Sequence, residues 1–141
     1  MTEMPTNPKR WHVGLVGYGE VGRILAEDLR RQDVGITAYD LKLGNSQAGP
    51  LRDHASAQGV ALAASHADLA AKADFIVSAV TASQAVAVAQ ACAPAVKKGA
   101  WFLDFNSAPR NWRRCWWHWA STPRWRASNW ASPRPSRCAA A

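Results

Sequence analysis

The chain has 141 residues and a mass of 15.3 kDa, room for one ordinary domain and too little for a large two-domain enzyme. Its 17 Lys and Arg against 10 Asp and Glu give a formal charge of +7, a surplus that ordinarily points to nucleic acid or an anionic membrane as partner. The surplus is local, however: residues 1–107 sum to zero, whereas residues 108–141 carry seven arginines and no acid.

No apolar run is long enough for a transmembrane helix. The polar start, Met1–Arg10, with Pro5 and Pro8, lacks the apolar centre of a secretory signal and reads as a disordered lead-in. Cys92, Cys115 and Cys138 are odd in number and far apart, which fits neither a disulfide framework nor a metal-ligand spacing. A cytoplasmic, metal-free protein is expected.

From residue 11 the elements alternate. His12 to Val16 reads as a buried strand running into glycines. A helix is predicted from Glu20 to about Arg31, with Val21, Ile24, Leu25 and Leu29 as its apolar stripe. Asp33 to Gly35 is a turn and Ile36 to Tyr39 the second strand. Leu41 to Pro50 is predicted as a loop, followed by a short helix over Leu51–Gln58 that Gly59 stops. Val60 to Ala63 is the third strand. Ser65 caps a helix holding Leu69 and Ala70, with Asp68 in its first turn. Phe75 to Val80 is the clearest buried strand. Ser83 is predicted to cap an alanine-rich helix that reaches Lys97, with Pro94 breaking its last turn and Gly99 ending it. Ala100 to Phe105 is the fifth strand. Strands and helices alternating at this spacing imply parallel βαβ units, hence an α/β doubly wound parallel sheet of the Rossmann type. In such a sheet ligands bind beyond the carboxyl ends of the strands.

At that edge lies Gly17-Tyr18-Gly19-Glu20-Val21-Gly22, an intact GxGxxG between a predicted strand and a predicted helix. Gly17 permits the tight turn, Gly19 lets a pyrophosphate approach the backbone, and Gly22 allows close packing of helix on strand. The free N–H groups of the helix start then hold the phosphates. Asp40 follows at the end of the second strand, where a carboxylate accepts hydrogen bonds from the adenosine ribose and repels a 2′-phosphate. The cofactor is thus NAD(P), with NAD favoured by Asp40, although Lys42 stands where it could meet a phosphate. The alternative role for Asp40 is a polar strand end.

Gly14 to Gly22, Ala73 to Thr81 and Leu103-Asp104-Phe105-Asn106-Ser107 together resemble the cofactor domain of the β-hydroxyacid dehydrogenase superfamily. That superfamily includes 6-phosphogluconate and 3-hydroxyisobutyrate dehydrogenases, and the resemblance covers residues 12–107. It implies that Val80 and Thr81 lie along the cofactor. It also implies that Asn106 approaches the nicotinamide and Ser107 the substrate, a small hydroxy acid. Many members have D-x-S-T where this chain has Asp104-Phe105-Asn106-Ser107, and a polar strand end is the other reading of Asn106 and Ser107. The resemblance further implies a catalytic lysine in a second, helical domain that also completes the substrate pocket and usually the dimer. No residue after Ser107 matches that domain, so a truncated and inactive fragment is expected.

Residues 108–141 hold six of the eight tryptophans and four of the eight prolines, without one Leu, Ile, Val or Gly. A segment of this kind cannot build a packed core. One reading is a basic aromatic arm for nucleic acid or membrane, which would make the chain a non-enzymatic nucleotide-sensing adaptor. The terminal Cys138-Ala139-Ala140-Ala141 has the form of a weak prenylation signal. The third reading is a shifted reading frame. Tryptophan has a single codon, and reading one base earlier turns Trp116-Trp117-His118-Trp119-Ala120 into Leu-Val-Ala-Leu-Gly. The hidden sequence is a helix with a glycine stop, so a frameshift between Ser107 and Arg110 is the expectation, with neither nucleic acid nor membrane as partner.

Overall fold

β1 (His12–Val16) forms the centre of the molecule, paired in parallel with β2 (Gly35–Tyr39) on one side and β4 (Phe75–Ser78) on the other. β3 (Ala61–Leu62) adds to β2 and β5 (Trp101–Asp104) to β4, giving a five-stranded parallel sheet of order β3-β2-β1-β4-β5. The structure, a computed structural model, describes residues 6–105. Asn106, Ser107 and the arginine- and tryptophan-rich segment lie outside the described residues.

Side chains of a parallel strand alternate between two covered faces. Val13, Leu15, Ile36, Ala38 and Val77 enter one core, closed by Ala26 of α1 (Glu20–Arg31) and by Leu51 and Ala55 of α2 (Ala48–Gln58). Val16, Ile76 and Phe102 enter the other, closed by Leu69 of α3 (His66–Lys72) and by Val88, Ala89 and Cys92 of α4 (Ala85–Cys92). The predicted doubly wound α/β sheet is the observed one. No helix among the described residues is long and apolar enough to cross a membrane.

Several boundaries differ from expectation, each for a local reason. Leu41–Gly44 is a 3-10 turn, and α2 begins at Ala48 because Pro50 is tolerated in a first helical turn. The third strand shrinks to two residues at the sheet edge, where it has one neighbour. Ser83 does not cap α4. Gln84 stands at that position, and the Ser83 hydroxyl lies 3.1 Å from Thr81 Oγ1 instead. Pro94, which has no N–H to give, converts the end of this helix into the 3-10 turn Ala93–Ala95. Within the lead-in, Pro8–Arg10 forms one 3-10 turn.

The apolar stripe of α1 is also displaced. Gly22 and Ala26 are buried and Leu25 and Leu29 pack beside them, whereas Val21 and Ile24 are each 53% exposed. The stripe thus runs 22-25-26-29, because the closest approach to the sheet is made at a glycine, which a hydrophobicity pattern does not register.

The amino edge of the sheet is tied by polar contacts. The Asp74 carboxylate accepts from the His12 N–H at 2.9 Å and from Lys97 Nζ at 2.7 Å, while His12 Nε2 lies 2.6 Å from the buried Thr37 hydroxyl. Burial would raise the Asp74 pKa, but the bonds from Lys97 and His12 outweigh it and hold the carboxyl below its ordinary range. Burial lowers the pKa of His12, and of His66 as well, against the opposing pull of Asp74 and Asp40 respectively. A base with a depressed folded-state pKa binds fewer protons folded than unfolded, so its contribution to stability is lost as pH falls below the unfolded value near 6.5. Chemical denaturation should therefore show lower stability at about pH 6 than at about pH 7.5, a window in which unperturbed carboxylates remain ionised. The difference should shrink in a His12→Asn, His66→Asn double variant.

Candidate functional site

β1 ends at Val16 and the chain turns sharply through Gly17 into α1. Two of the three motif glycines are demanded by the fold. Gly17 has φ 88°, a conformation that favours glycine, and a Cβ there would stand 2.3 Å from the Ala79 carbonyl oxygen. A Cβ on Gly22 would stand 2.2 Å from the Gly17 carbonyl oxygen. Gly19 is different: its φ is −84° and a Cβ there would meet nothing within 4 Å. The fold does not need glycine at this position, and the space above it is open.

That space faces the start of α1. The first N–H groups of a helix have no intrahelical acceptor, and among the described residues no side chain caps those of α1. They carry the positive end of the helix dipole toward the opening beside Gly19. A Gly19 without a side chain, next to uncapped donors, can admit an anion of pyrophosphate size, and the described residues fit a dinucleotide at this edge.

Asp40, at the end of β2, is bound to the turn itself. Its Oδ2 accepts the Tyr18 N–H at 2.8 Å and its Oδ1 accepts the Lys42 N–H at 2.8 Å. Each carboxylate oxygen has a second lone pair, so Asp40 can hold the turn and still accept from a ribose hydroxyl. Both roles weighed for this residue are therefore compatible.

Gly17 and Val80 are brought together: the Cβ built on Gly17 would lie 2.9 Å from Val80 Cγ1. Thr81 is exposed and its carbonyl accepts the Gln84 N–H at 2.9 Å, turning the chain toward α4. The segment after β4 thus flanks the glycine turn. Glu20 and Val21 are exposed on the first turn of α1. Tyr18 points the other way, its side chain fully buried in the core beneath α1 and α2. Asn106 and Ser107 lie outside the described residues.

A model of the NAD-binding domain of 6-phosphogluconate dehydrogenase matches residues 12–115. The chain belongs to that family. Its cofactor class is accordingly a nicotinamide dinucleotide. Among solved structures, this NAD-binding domain is similar to a conserved hypothetical protein from Sinorhizobium meliloti, with 27% identity and a TM-score of 0.75 over 83% of this chain and 40% of that one. It also shares its fold with 3-hydroxyisobutyrate dehydrogenase from Mycobacterium tuberculosis, solved with L-serine, at 18% identity and a TM-score of 0.71 over 83% of this chain and 38% of that one. An imine reductase from Myxococcus stipitatus in complex with NADP+ matches at 17% identity and a TM-score of 0.65 over 82% of this chain and 39% of that one. The chain thus spans about two-fifths of the length of each. No curated protein matches the sequence.

Two residues beside the glycine turn carry no mark of their role in the sequence. The Tyr18 hydroxyl lies 2.7 Å from His54 Nδ1 on α2, and His54 Nε2 lies 2.9 Å from Glu27 Oε1 on α1. Burial pushes the Tyr18 phenol up to about 12, and the hydrogen bond from His54 holds the Glu27 carboxyl low. A tyrosine inside a glycine motif needs a partner for its hydroxyl once buried. That is the only signal in the sequence, and it does not say which residue answers.

The three glycines should separate by stability. Gly17→Ala and Gly22→Ala each force a backbone clash and should cost about 3 kcal/mol. Gly19→Ala should change the unfolding free energy by no more than about 0.5 kcal/mol, as read by urea titration of the three variants side by side.

Proposed function

We propose that this domain binds a nicotinamide dinucleotide with its pyrophosphate over Gly17–Gly22, its adenosine ribose on Asp40, and Val80 and Thr81 along its length. The open space at Gly19, which the fold itself does not require, carries this reading. The backbone donors of Glu20, Val21 and Gly22 hold the phosphates. The Asp40 carboxylate accepts from the ribose hydroxyls and opposes a 2′-phosphate, which favours NAD over NADP. Asn106 and Ser107 take up the nicotinamide and substrate side.

The dinucleotide, when bound, supplies a hydride acceptor or donor. The parent reaction is hydride transfer between a 3-hydroxy acid and the nicotinamide. Such chemistry also needs a covered cofactor face and a group placed for proton transfer. The chain spans two-fifths of the length of its structural neighbours, and we expect cofactor binding without turnover from these 141 residues. The segment from about residue 108 is read in a shifted frame, supported by its tryptophan- and arginine-rich, aliphatic-free composition. The family match ends at residue 115, five residues past the last position proposed for the junction. Translation of the DNA in the earlier frame should yield a long helical continuation containing lysine, and an early stop codon there would refute the shift.

Titration of the purified chain by nicotinamide fluorescence should show NADH binding, with NADPH weaker by about tenfold, the effect of one unfavourable contact of about 1.4 kcal/mol. Gly19→Ala should abolish NADH binding while leaving the fold intact. Equal affinity for NADH in Gly19→Ala and the parent chain would remove the pyrophosphate from this turn.

A further inference from the structure

Tyr18 is held from two sides. Its N–H is given to Asp40 just past β2 and its hydroxyl to His54 on α2, the helix whose Leu51 and Ala55 share its core. The donor roles follow from the chemistry of the three groups. The Glu27 carboxylate can only accept, so His54 Nε2 carries the proton, and on a neutral ring Nδ1 is then the acceptor for the Tyr18 O–H. One run of hydrogen bonds thus goes from the turn, through α2, to α1.

Burial graded along the run shows where it is anchored. Tyr18 is fully buried, the His54 side chain 17% exposed and that of Glu27 37% exposed. The rings of Tyr18 and His54 also meet edge to face at 5.5 Å. The ring and hydroxyl of Tyr18 therefore have one seat. Because Tyr18 lies between Gly17 and Gly19, that seat fixes the backbone on both sides of it.

We propose that the Tyr18–His54–Glu27 chain is a positioning device for the dinucleotide turn, in which His54 fixes Tyr18 and Glu27 fixes His54. The inference rests on the dinucleotide reading of that turn. His54 and Glu27 touch no cofactor. They act by keeping the Gly19–Gly22 donors in the arrangement that receives a pyrophosphate, so that less ordering remains to be done on binding.

Three variants separate this from a merely structural role: Tyr18→Phe, which keeps the ring and removes the hydroxyl; His54→Phe, which removes both ring donors and acceptors; and His54→Asn, whose amide oxygen can still accept from Tyr18. NADH dissociation constants are compared at a temperature where circular dichroism shows every protein fully folded. Tyr18→Phe and His54→Phe should each weaken binding by about fivefold or more, the worth of one neutral hydrogen bond. Their combination should be no worse than either alone, and His54→Asn should recover most of the affinity. Unchanged affinity in folded Tyr18→Phe and His54→Phe would overturn the proposal, as would additive losses. Amide hydrogen exchange of residues 17–22 in the free proteins is read in parallel. Faster exchange in the two Phe variants supports the positioning role even if the parent chain fails to bind NADH, a failure that would count against the dinucleotide reading alone. Unchanged exchange would overturn the positioning role independently of any ligand.

Discussion

The approach of the first turn of α1 to the end of β1 is the constraint from which the rest of the structure follows. Gly22 sits so close to the Gly17 carbonyl that no other residue fits without displacement of the backbone. This contact brings the helix axis down onto the sheet and places its uncapped N–H groups directly beyond the carboxyl end of the central strand. It also shifts the buried stripe of α1 onto Gly22, Leu25, Ala26 and Leu29 and leaves Val21 and Ile24 in solvent. One close packing contact therefore sets both the helix–sheet geometry and the position of the donors.

The two edges of the sheet differ in how their polar groups are satisfied. At the amino edge, donors and acceptors are paired with one another: Asp74 with His12 and Lys97, and Thr37 with His12. At the carboxyl edge, Asp40 joins the second strand to the glycine turn through the Tyr18 N–H, while the helix start beside Gly19 keeps its donors toward open space. Polar groups satisfied internally stabilise a fold; preorganised donors without internal partners favour a ligand.

The central features were legible in the sequence because they are local. Strands His12–Val16 and Phe75–Ser78 are short β-rich runs, and the Ser65 cap and the Gly59 stop are signals contained within a few residues. The glycine motif, in its strand–turn–helix context, carried the family as well. What escaped depended on distant partners. His54 answers Tyr18 across 36 residues, and nothing in its own neighbourhood marks it. Asp40 was legible as an acceptor, but not as a tie to the glycine turn. The displaced stripe of α1 escaped because glycine and alanine make the tightest contacts and the weakest hydrophobic signal.

The net charge of +7 belongs wholly to the segment after residue 107, and the groups we propose for ligand binding in the neutral remainder are helix donors and one carboxylate. The measurement that tests this most directly is the amide NMR spectrum of the chain titrated with NADH. Perturbations concentrated at Gly19–Gly22, Asp40–Lys42 and Val80–Thr81 are the predicted result. No perturbation, or perturbation confined to the amino edge around Asp74 or to the arginine-rich segment, would contradict it.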